Sequence, residues 1–480
     1  MKKTPISKLF LYRYRFIIGY ILLGLAFAGL LFTLPIFAQT GLSAAETESS
    51  VISANLGMNS ILNGDLVDLP YHILQKISLS IFGLTAYAIK LPSILMGLLL
   101  GFLIILLLNR WFKSNVSILA SCLIVLSTPF LFLAGSGTPL IMLVFWPTFL
   151  LWLGSKIQGE KKPKPLYCLA FAIALLFAVF TPYMAYFAVF CVIFAFCQPH
   201  LRFVIKRLPK IPLILIGIVI LTGLTALVVN IANNSDTIME LLFAKDFAIG
   251  AFFNNISSGL APVFSWRTSL ESAFLSPLLS LPAFAIVLIG LFSTTKGFFA
   301  SRNSIASLLL VFTVIITGFN PDAVVFFILP ISILIAHGLK YLLEKWYGLF
   351  PENPYARISA IFPLTLLFGI MIVPNLLQYI YGYRYNPNIA NEFFDDLSII
   401  HENLNYDTLL ATENYDFYKL LEKSTNITVI DSLDAANSAD SLAILGKPAE
   451  SPTNFELSRI ITSSKSDNSD IIYLYTKKGE

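Results

Sequence analysis

Residues 41–82 read GLSAAETESSVISANLGMNSILNGDLVDLPYHILQKISLSIF and hold the first acidic side chains of a strongly apolar chain. Two short amphipathic helical patterns flank the loop NGDLVDLP, which contains Asp65 and Asp68. Aspartate, asparagine, glycine and proline favour turns, so both aspartates are expected to be solvated turn residues. The stretch follows one long apolar block and precedes many others, so we expect it to be a polar outer loop that carries functional groups.

Composition indicates a membrane protein. Of the 480 residues, 56% are hydrophobic and only 12% are charged, whereas about a quarter of a soluble domain is charged. The mean hydropathy is +0.77. The apolar residues come in blocks of about 18–23, long enough to cross a hydrocarbon core of about 30 Å. The net charge of +4 is dispersed along the chain and does not indicate nucleic-acid binding.

The apolar blocks predict eleven transmembrane helices. The stretch around Cys168–Cys197 is too long for one crossing, and Pro182 near its middle removes a backbone donor, so we expect two short spans there. The predicted spans are 16–38, 91–109, 116–135, 138–155, two within 168–197, 211–232, 276–294, 304–319, 323–340 and 358–380.

The distribution of basic residues predicts the orientation. With the N-terminus in the cytoplasm, inner segments hold 20 Lys and Arg and outer loops hold 4, as the positive-inside rule requires. The first outer loop then spans 39–90, and a large outer loop spans 232–275. An odd number of crossings places the C-terminal segment outside, so we expect a multi-pass plasma-membrane protein.

The chain divides by composition into a transmembrane domain, residues 1–380, and a C-terminal domain, residues 381–480. The second part holds 16 of the 28 acidic residues. Helical patterns alternate there with strand-like runs at 408–411, 427–430, 442–445, 459–462 and 471–475, which predicts a small extracytoplasmic α/β domain. No glycine-rich nucleotide motif or metal-ligand cluster is visible, so we assign neither a cofactor nor a metal.

Motifs after the first acids occur in a recognisable order. Leu69-Pro70-Tyr71-His72 forms a proline-tyrosine step, Phe82-Gly83 follows, and Lys90-Leu91-Pro92-Ser93 opens the second span. This order resembles the GT-C superfamily of membrane glycosyltransferases, in particular the protein mannosyltransferases and lipid A aminoarabinose transferases. The resemblance covers roughly residues 10–345. The segment 346–357 and the C-terminal part are also similar to members from small-genome bacteria.

The resemblance implies an inverting glycosyltransferase that transfers a sugar from a polyprenyl-phosphate donor at the outer face of the membrane. The family's Asp-Glu pair is replaced by Glu46-Thr47-Glu48, and Glu46 aligns with the catalytic aspartate. Glu46 is therefore expected to be the general base, with Glu48 as the nearest substitute. The resemblance does not require a metal, and the acceptor would be a glycan, a lipid or a protein.

The outer segments offer few other groups for the donor phosphate. A transfer of this kind needs cations for the leaving phosphate and polar side chains that orient the partners. The candidates are Lys90, Arg267, Lys245, His72 and Tyr71.

Other interpretations remain open. Acids in the first turn of a helix stabilise its positive end without any catalytic role, and Lys90 at a span end can extend toward the interface. A non-catalytic scaffold that displays the C-terminal domain is one alternative. A transporter is another, although the sequence shows no internal repeat and few ionisable residues inside the spans.

Overall fold

The computed structural model describes most of the chain, and every structural statement below refers to the described part. The described ranges are 10–39, 41–57, 66–159, 165–206, 210–233, 236–242, 249–264, 269–271, 274–297, 300–353, 355–356, 359–386, 389, 392–404, 408–412, 414–423, 425, 427–430, 441–446, 452, 454–462 and 471–477.

The fold is predominantly helical up to residue 385. Its helices are α1 (Phe10–Ala38), α2 (Ala44–Asn55), α3 (Leu69–Phe82), α4 (Ala86–Trp111), α5 (Ser114–Val125), α6 (Thr128–Gly135), α7 (Met142–Gly159), α8 (Pro165–Ala178), α9 (Met184–Cys197), α10 (Pro199–Lys206), α11 (Lys210–Asn233), α12 (Asp236–Leu241), α13 (Phe252–Phe264), α14 (Leu281–Thr295), α15 (Ser301–Thr317), α16 (Ile328–Leu349) and α17 (Ile361–Tyr385). Short 3-10 helices lie at Pro139–Ile141, Ile249–Ala251 and Pro321–Phe327.

The long apolar helices coincide with the predicted spans. Among the described residues, five helices are long and apolar enough to cross a membrane alone, and two further pairs qualify if each bent pair is one span. Four shorter apolar helices, Pro165–Ala178, Leu221–Asn233, Leu281–Thr295 and Ser301–Thr317, occupy other predicted positions. The chain is therefore a multi-pass membrane protein, as its composition predicts.

Two of the long apolar stretches are interrupted at or near a proline. The long stretch around Pro182 forms two helices, α8 and α9, as predicted. The stretch predicted as one span over 116–135 is instead a pair, α5 and α6, bent by 65°. Pro129 lies in the first turn of α6, where its ring and missing N–H favour a helix start over a helix interior.

The C-terminal part contains the predicted strands. β4 (Phe393–Phe394) and α18 (Asp396–Asn403) lead into β5 (Thr408–Ala411), α19 (Tyr415–Tyr418), a 3-10 segment at Lys419–Lys423, β6 (Thr428–Ile430), β7 (Ser441–Leu445), β8 (Phe455–Thr462) and β9 (Ile471–Lys477). Strands β5 to β9 form one sheet in the order β6-β5-β7-β9-β8. β5 is parallel to β6 and β7, and β9 is antiparallel to β7 and β8. A small α/β unit is thus present.

This sheet unit shares its core with described residues of the segment 41–90, most of the predicted first outer loop. β1 (Leu42–Ser43) pairs antiparallel with β4, and a separate two-stranded ribbon joins β2 (Ser269–Glu271) to β3 (Phe274–Ser276). Leu42, Leu84 and Ile89 belong to the same buried apolar cluster as the core residues of the sheet unit. His401 Nε2 also lies 2.9 Å from the carbonyl oxygen of Leu84. Val51 and Ala54 of α2 pack against the same cluster, so the C-terminal unit helps to hold α2 in place.

Gly41 makes this junction possible. Its φ of +94° lies in the left-handed region, and an added Cβ would clash with the Phe394 carbonyl oxygen. We expect Gly41→Ala to cost at least about 1–3 kcal/mol, because it adds backbone strain to a steric clash. Thermal unfolding in detergent and proteolysis between the two parts measure the loss. Gly24→Ala is the matched control, since nothing lies within 4 Å of its added Cβ, and equal stability of both variants would contradict the prediction.

Candidate active site

Glu46 is buried at the start of α2, with only 1% of its surface exposed. Its Oε2 accepts from the Ser43 N–H at 2.8 Å, and the Ser43 hydroxyl accepts from the Glu46 N–H at 3.4 Å. This reciprocal pair is a capping box, which satisfies helix N–H groups that have no partner in the helix. Oε1 accepts from the backbone N–H of Gly137 at 2.6 Å. The helix-stabilising role is thus present, and a catalytic role for Glu46 stays a prediction.

Lys90 lies beside Glu46 in the second turn of α4 and is also 1% exposed. Its Nζ donates to the carbonyl oxygens of Gln39 and Gly41, both at 2.9 Å, and lies 4.0 Å from Glu46 Oε1. The ammonium therefore ties the end of α1 and the segment that leads into α2 to α4. A contact between Lys90 and a donor phosphate stays a prediction.

A chain of hydrogen bonds connects His72 to Glu46. His72 Nδ1 lies 2.7 Å from the Ser53 hydroxyl, which donates to Gln75 Oε1 at 2.6 Å. Gln75 Nε2 donates to the Gly137 carbonyl at 2.9 Å. The backbone N–H of Gly137 in turn donates to Glu46 Oε1. Burial lowers the pKa of His72 to about 4, so its ring is neutral at pH 7. The network fixes α2 and α3 against the segment before α7.

Tyr71 lies among the same groups and is fully buried. Its hydroxyl is 2.8 Å from the Ser93 hydroxyl. Burial raises the pKa of the Tyr71 hydroxyl, the Ser93 hydrogen bond opposes this, and the negative charges of Glu46 and Asp68 raise it further. Tyr71 therefore interacts electrostatically with both carboxyl groups.

Asp68 is not the solvated turn residue that the sequence predicts. It does lie in a turn before α3, but it is only 8% exposed and has a left-handed φ of 52°. Its N–H donates to the carbonyl of Phe180 at 2.8 Å. Burial raises the pKa of the Asp68 carboxyl well above its usual range, and the neighbouring Thr181 hydroxyl partly opposes that rise. The turn packs against the α8–α9 connection, and this packing removes the side chain from water.

The burial of Asp68 predicts a pH-dependent stability. A carboxyl whose pKa is raised on folding favours the folded state below its unfolded pKa of about 3.9, and this contribution is lost as pH rises through the folded pKa. We therefore expect Asp68→Asn to match wild type in stability near pH 4 and to exceed it at pH 7–8. Asparagine also tolerates the left-handed backbone. The check is thermal unfolding of both proteins in detergent across this range; their difference cancels the shared titration of His72.

Two uncharged groups beside the Glu46–Lys90 pair escaped the sequence analysis. Gln39 and Tyr379 are buried, and neither the Gln39 amide atoms nor the Tyr379 hydroxyl makes a hydrogen bond among the described residues. Gln39 supplies one carbonyl to Lys90, and Tyr379 interacts electrostatically with Glu46. No local pattern links residues 39, 46, 90 and 379, because only the tertiary fold brings them together.

The remaining predicted residues are less informative. Glu48 is exposed, two residues beyond Glu46 on α2. Arg267, Lys245 and Asp65 lie outside the described residues. Within the described residues, no group of three or more His, Cys, Asp or Glu side chains is placed to hold a metal ion.

An apolar pocket lies between α5, α14, α16 and α17. Met371, Asn375 and Tyr379 follow each other at four-residue intervals on α17, so they share one helix face. That face links the pocket to the buried polar groups near Glu46. Residues lining the pocket include Leu123, Ile124, Phe327, Ile331, Met371 and Asn375.

Comparisons with known proteins agree with this architecture. The family model of dolichyl-phosphate-mannose-protein mannosyltransferase matches residues 70–225. A search of curated protein sequences finds no match. Solved structures, in contrast, resemble nearly the whole chain.

ArnT from Cupriavidus metallidurans in the apo state has a TM-score of 0.53 at 12% identity, covering 96% of this chain and 98% of its own. The same protein bound to undecaprenyl phosphate gives 0.54 at 11% identity, covering 95% and 98%. AglB, the oligosaccharyltransferase from Archaeoglobus fulgidus, in complex with an inhibitory peptide and a dolichol-phosphate, gives 0.52 at 12%, covering 91% and 70%. The chain is therefore a membrane protein with the GT-C fold, and the resemblance to that superfamily is confirmed.

Proposed function

We propose that this protein is a glycosyltransferase that transfers a sugar from a polyprenyl-phosphate-linked donor to an acceptor at the outer face of the plasma membrane. The observation that carries the proposal is the buried group formed by Glu46, Lys90, Gln39 and Tyr379 within a GT-C fold. Buried polar atoms without partners are uncommon in folded proteins. Here they belong to Gln39, whose backbone carbonyl accepts from Lys90, and to Tyr379, which interacts electrostatically with Glu46, and this supports a binding site for a polar substrate.

The lipid donor fits the relation between this group and the apolar pocket. A polyprenyl chain needs an apolar groove, and its phosphate needs hydrogen-bond donors at the groove's polar end. The α17 face from Met371 to Tyr379 runs from the apolar pocket to the buried polar groups near Glu46. It covers about 12 Å, at a rise of about 1.5 Å per residue. The undecaprenyl phosphate and dolichol-phosphate bound by ArnT and AglB support a donor of this class.

The reaction is an inverting displacement. The acceptor oxygen attacks the anomeric carbon and its proton passes to the Glu46 carboxylate. The bond between the anomeric carbon and the phosphate oxygen breaks, and its electron pair leaves with the polyprenyl phosphate. A carboxylate has about four lone-pair sites, and Glu46 uses two for backbone N–H groups, so it retains acceptor capacity. Among the predicted cations for the phosphate, Lys90 lies 4.0 Å from Glu46 Oε1, which supports a role for its ammonium at the leaving phosphate.

The proposed topology follows from the charge distribution. The N-terminus lies in the cytoplasm, and the outer face carries α2, α3 and the C-terminal domain of residues 381–480. The acceptor is a glycan, a lipid or a protein.

The test is transfer of radiolabelled sugar from membrane polyprenyl-phosphate sugars by the purified full-length protein, with Glu46→Gln beside wild type. Transfer by wild type that collapses in the variant supports both the reaction and the base. Absence of transfer from a folded wild type with every donor tried overturns the proposal.

A non-catalytic scaffold is the second candidate, because backbone groups engage both oxygens of Glu46 and two carbonyls hold Lys90. Such backbone contacts are expected of a purely structural pair. Binding of undecaprenyl phosphate separates the two candidates, since a scaffold without a donor site would not bind it.

A further inference from the structure

Asp68 lies where separate outer segments meet. Its N–H bonds the Phe180 carbonyl in the connection between α8 and α9. In the same connection, the N–H of Tyr183 donates at 3.1 Å to the carbonyl of Leu241 at the end of α12. The start of α3, the α8–α9 connection and the end of α12 are thus joined by backbone hydrogen bonds.

Some buried polar atoms of these segments have few partners. Asp68 Oδ1, Thr181 Oγ1 and Thr237 Oγ1 make no hydrogen bond of ordinary geometry among the described residues, although the Thr181 hydroxyl lies close enough to the Asp68 carboxyl to lower its pKa. Asp68 is 92% buried, and the two threonines are 99% buried. Each such group costs about 1–3 kcal/mol if nothing satisfies it. A carboxylate oxygen and a hydroxyl side by side therefore indicate a place for a hydrogen-bonding ligand.

Backbone strain is found at the same place. Asp68 (φ 52°) and Tyr183 (φ 62°) are the two non-glycine residues with positive φ in the described part of the chain. Such conformations are unfavourable for tyrosine in particular. They persist where surrounding structure enforces them, often at ligand sites.

We propose that the Asp68 carboxylate and the Thr181 hydroxyl form a subsite that hydrogen-bonds hydroxyl groups of a sugar ring. The proposal rests on the function proposed above. Asp322 interacts electrostatically with Tyr183, so the region holds two acidic side chains, which would repel a phosphate. A sugar hydroxyl can donate to the carboxylate and exchange a hydrogen bond with Thr181.

The subsite lies near the proposed base. Tyr71 interacts electrostatically with both Asp68 and Glu46, and Tyr71 directly follows Asp68 and Leu69-Pro70 at the start of α3. The sugar ring is either the one being transferred or part of a glycan acceptor. Both have the same hydroxyl chemistry, and kinetics distinguish them.

The experiment measures steady-state transfer by Asp68→Asn and Thr181→Val in the full-length protein, with separate titration of donor and acceptor. Asp68→Asn loses a charged hydrogen bond to a sugar hydroxyl. We expect this loss to raise the KM of either the donor or the acceptor about 10- to 100-fold. A rise in the donor KM identifies the transferred sugar, and a rise in the acceptor KM identifies a glycan acceptor. Asp416→Asn is the matched control, because Asp416 is exposed on α19 in the C-terminal unit.

Two further measurements separate binding from folding. Undecaprenyl phosphate, which carries no sugar, should bind wild type and Asp68→Asn equally. A series of deoxy-sugar substrates should include one that wild type disfavours and Asp68→Asn accepts as well as the parent sugar. Unchanged KM values and deoxy discrimination in a transferring enzyme overturn the subsite, as does equal weakening of undecaprenyl phosphate binding. Failure of wild type to transfer any sugar would instead overturn the proposed function.

Discussion

Replacing Glu46 by Gln is expected to lower sugar transfer about 10²- to 10⁴-fold, the usual contribution of a general base. Glutamine has nearly the same shape but cannot take the acceptor's proton. Its amide also replaces one acceptor oxygen by a donor, which then faces the N–H of Ser43 or of Gly137. Transfer must therefore be measured per folded molecule, with undecaprenyl phosphate binding as the check that the donor site is intact.

Two controls separate loss of the base from loss of the helix cap. Ser43→Ala removes the other half of the capping box and keeps the carboxylate; N-cap losses cost about 0.5–2 kcal/mol. Its transfer should fall only with its folded fraction. Glu402→Gln, on the exposed surface of α18, should behave as wild type. Transfer by Glu46→Gln at wild-type rate per folded molecule would remove the base from Glu46.

Much of the fold follows from local sequence features. Apolar blocks of membrane-spanning length, the break at Pro182 and the alternating strands of the C-terminal part are short-range patterns, and each appears where predicted. The bend between α5 and α6 is not predicted, because the residues 116–135 are apolar throughout. Pro129 is the local sign of a break in the helix. The pairing of β1 with β4 joins residues about 350 positions apart, and the shared core also brings distant segments together, so no local pattern encodes either feature.

The candidate site was less predictable for the same reason. Sequence order and the resemblance single out Glu46 and Lys90, and the fold brings them within 4.0 Å of each other. Gln75 looks like any polar residue on an amphipathic helix, yet it connects α2, α3 and the segment before α7. Asp68 has a turn-prone neighbourhood, and only tertiary packing against Phe180 shows that its side chain is buried.

Lys90→Met is expected to cost about 3–5 kcal/mol of stability, because removing one partner of a buried ion pair leaves the other charge uncompensated. The carbonyls of Gln39 and Gly41 also lose their donor. The double variant Lys90→Met/Glu46→Gln removes both charges and should recover part of the loss, so the two effects are not additive. The measurement is the midpoint of thermal unfolding in detergent for wild type, both single variants and the double variant.

Lys340→Met provides the matched control for that cycle. Lys340 pairs with Glu344 at 3.8 Å, but their side chains are 30% and 64% exposed, and exposed pairs contribute about 0–1 kcal/mol. A large loss in Lys90→Met alone means that the ammonium holds the outer loop in place. A Lys90→Met protein as stable as the control, but unable to bind undecaprenyl phosphate, would instead mean that Lys90 serves the donor. The same variant thus decides between the structural contacts in the fold and the phosphate contact predicted from the sequence.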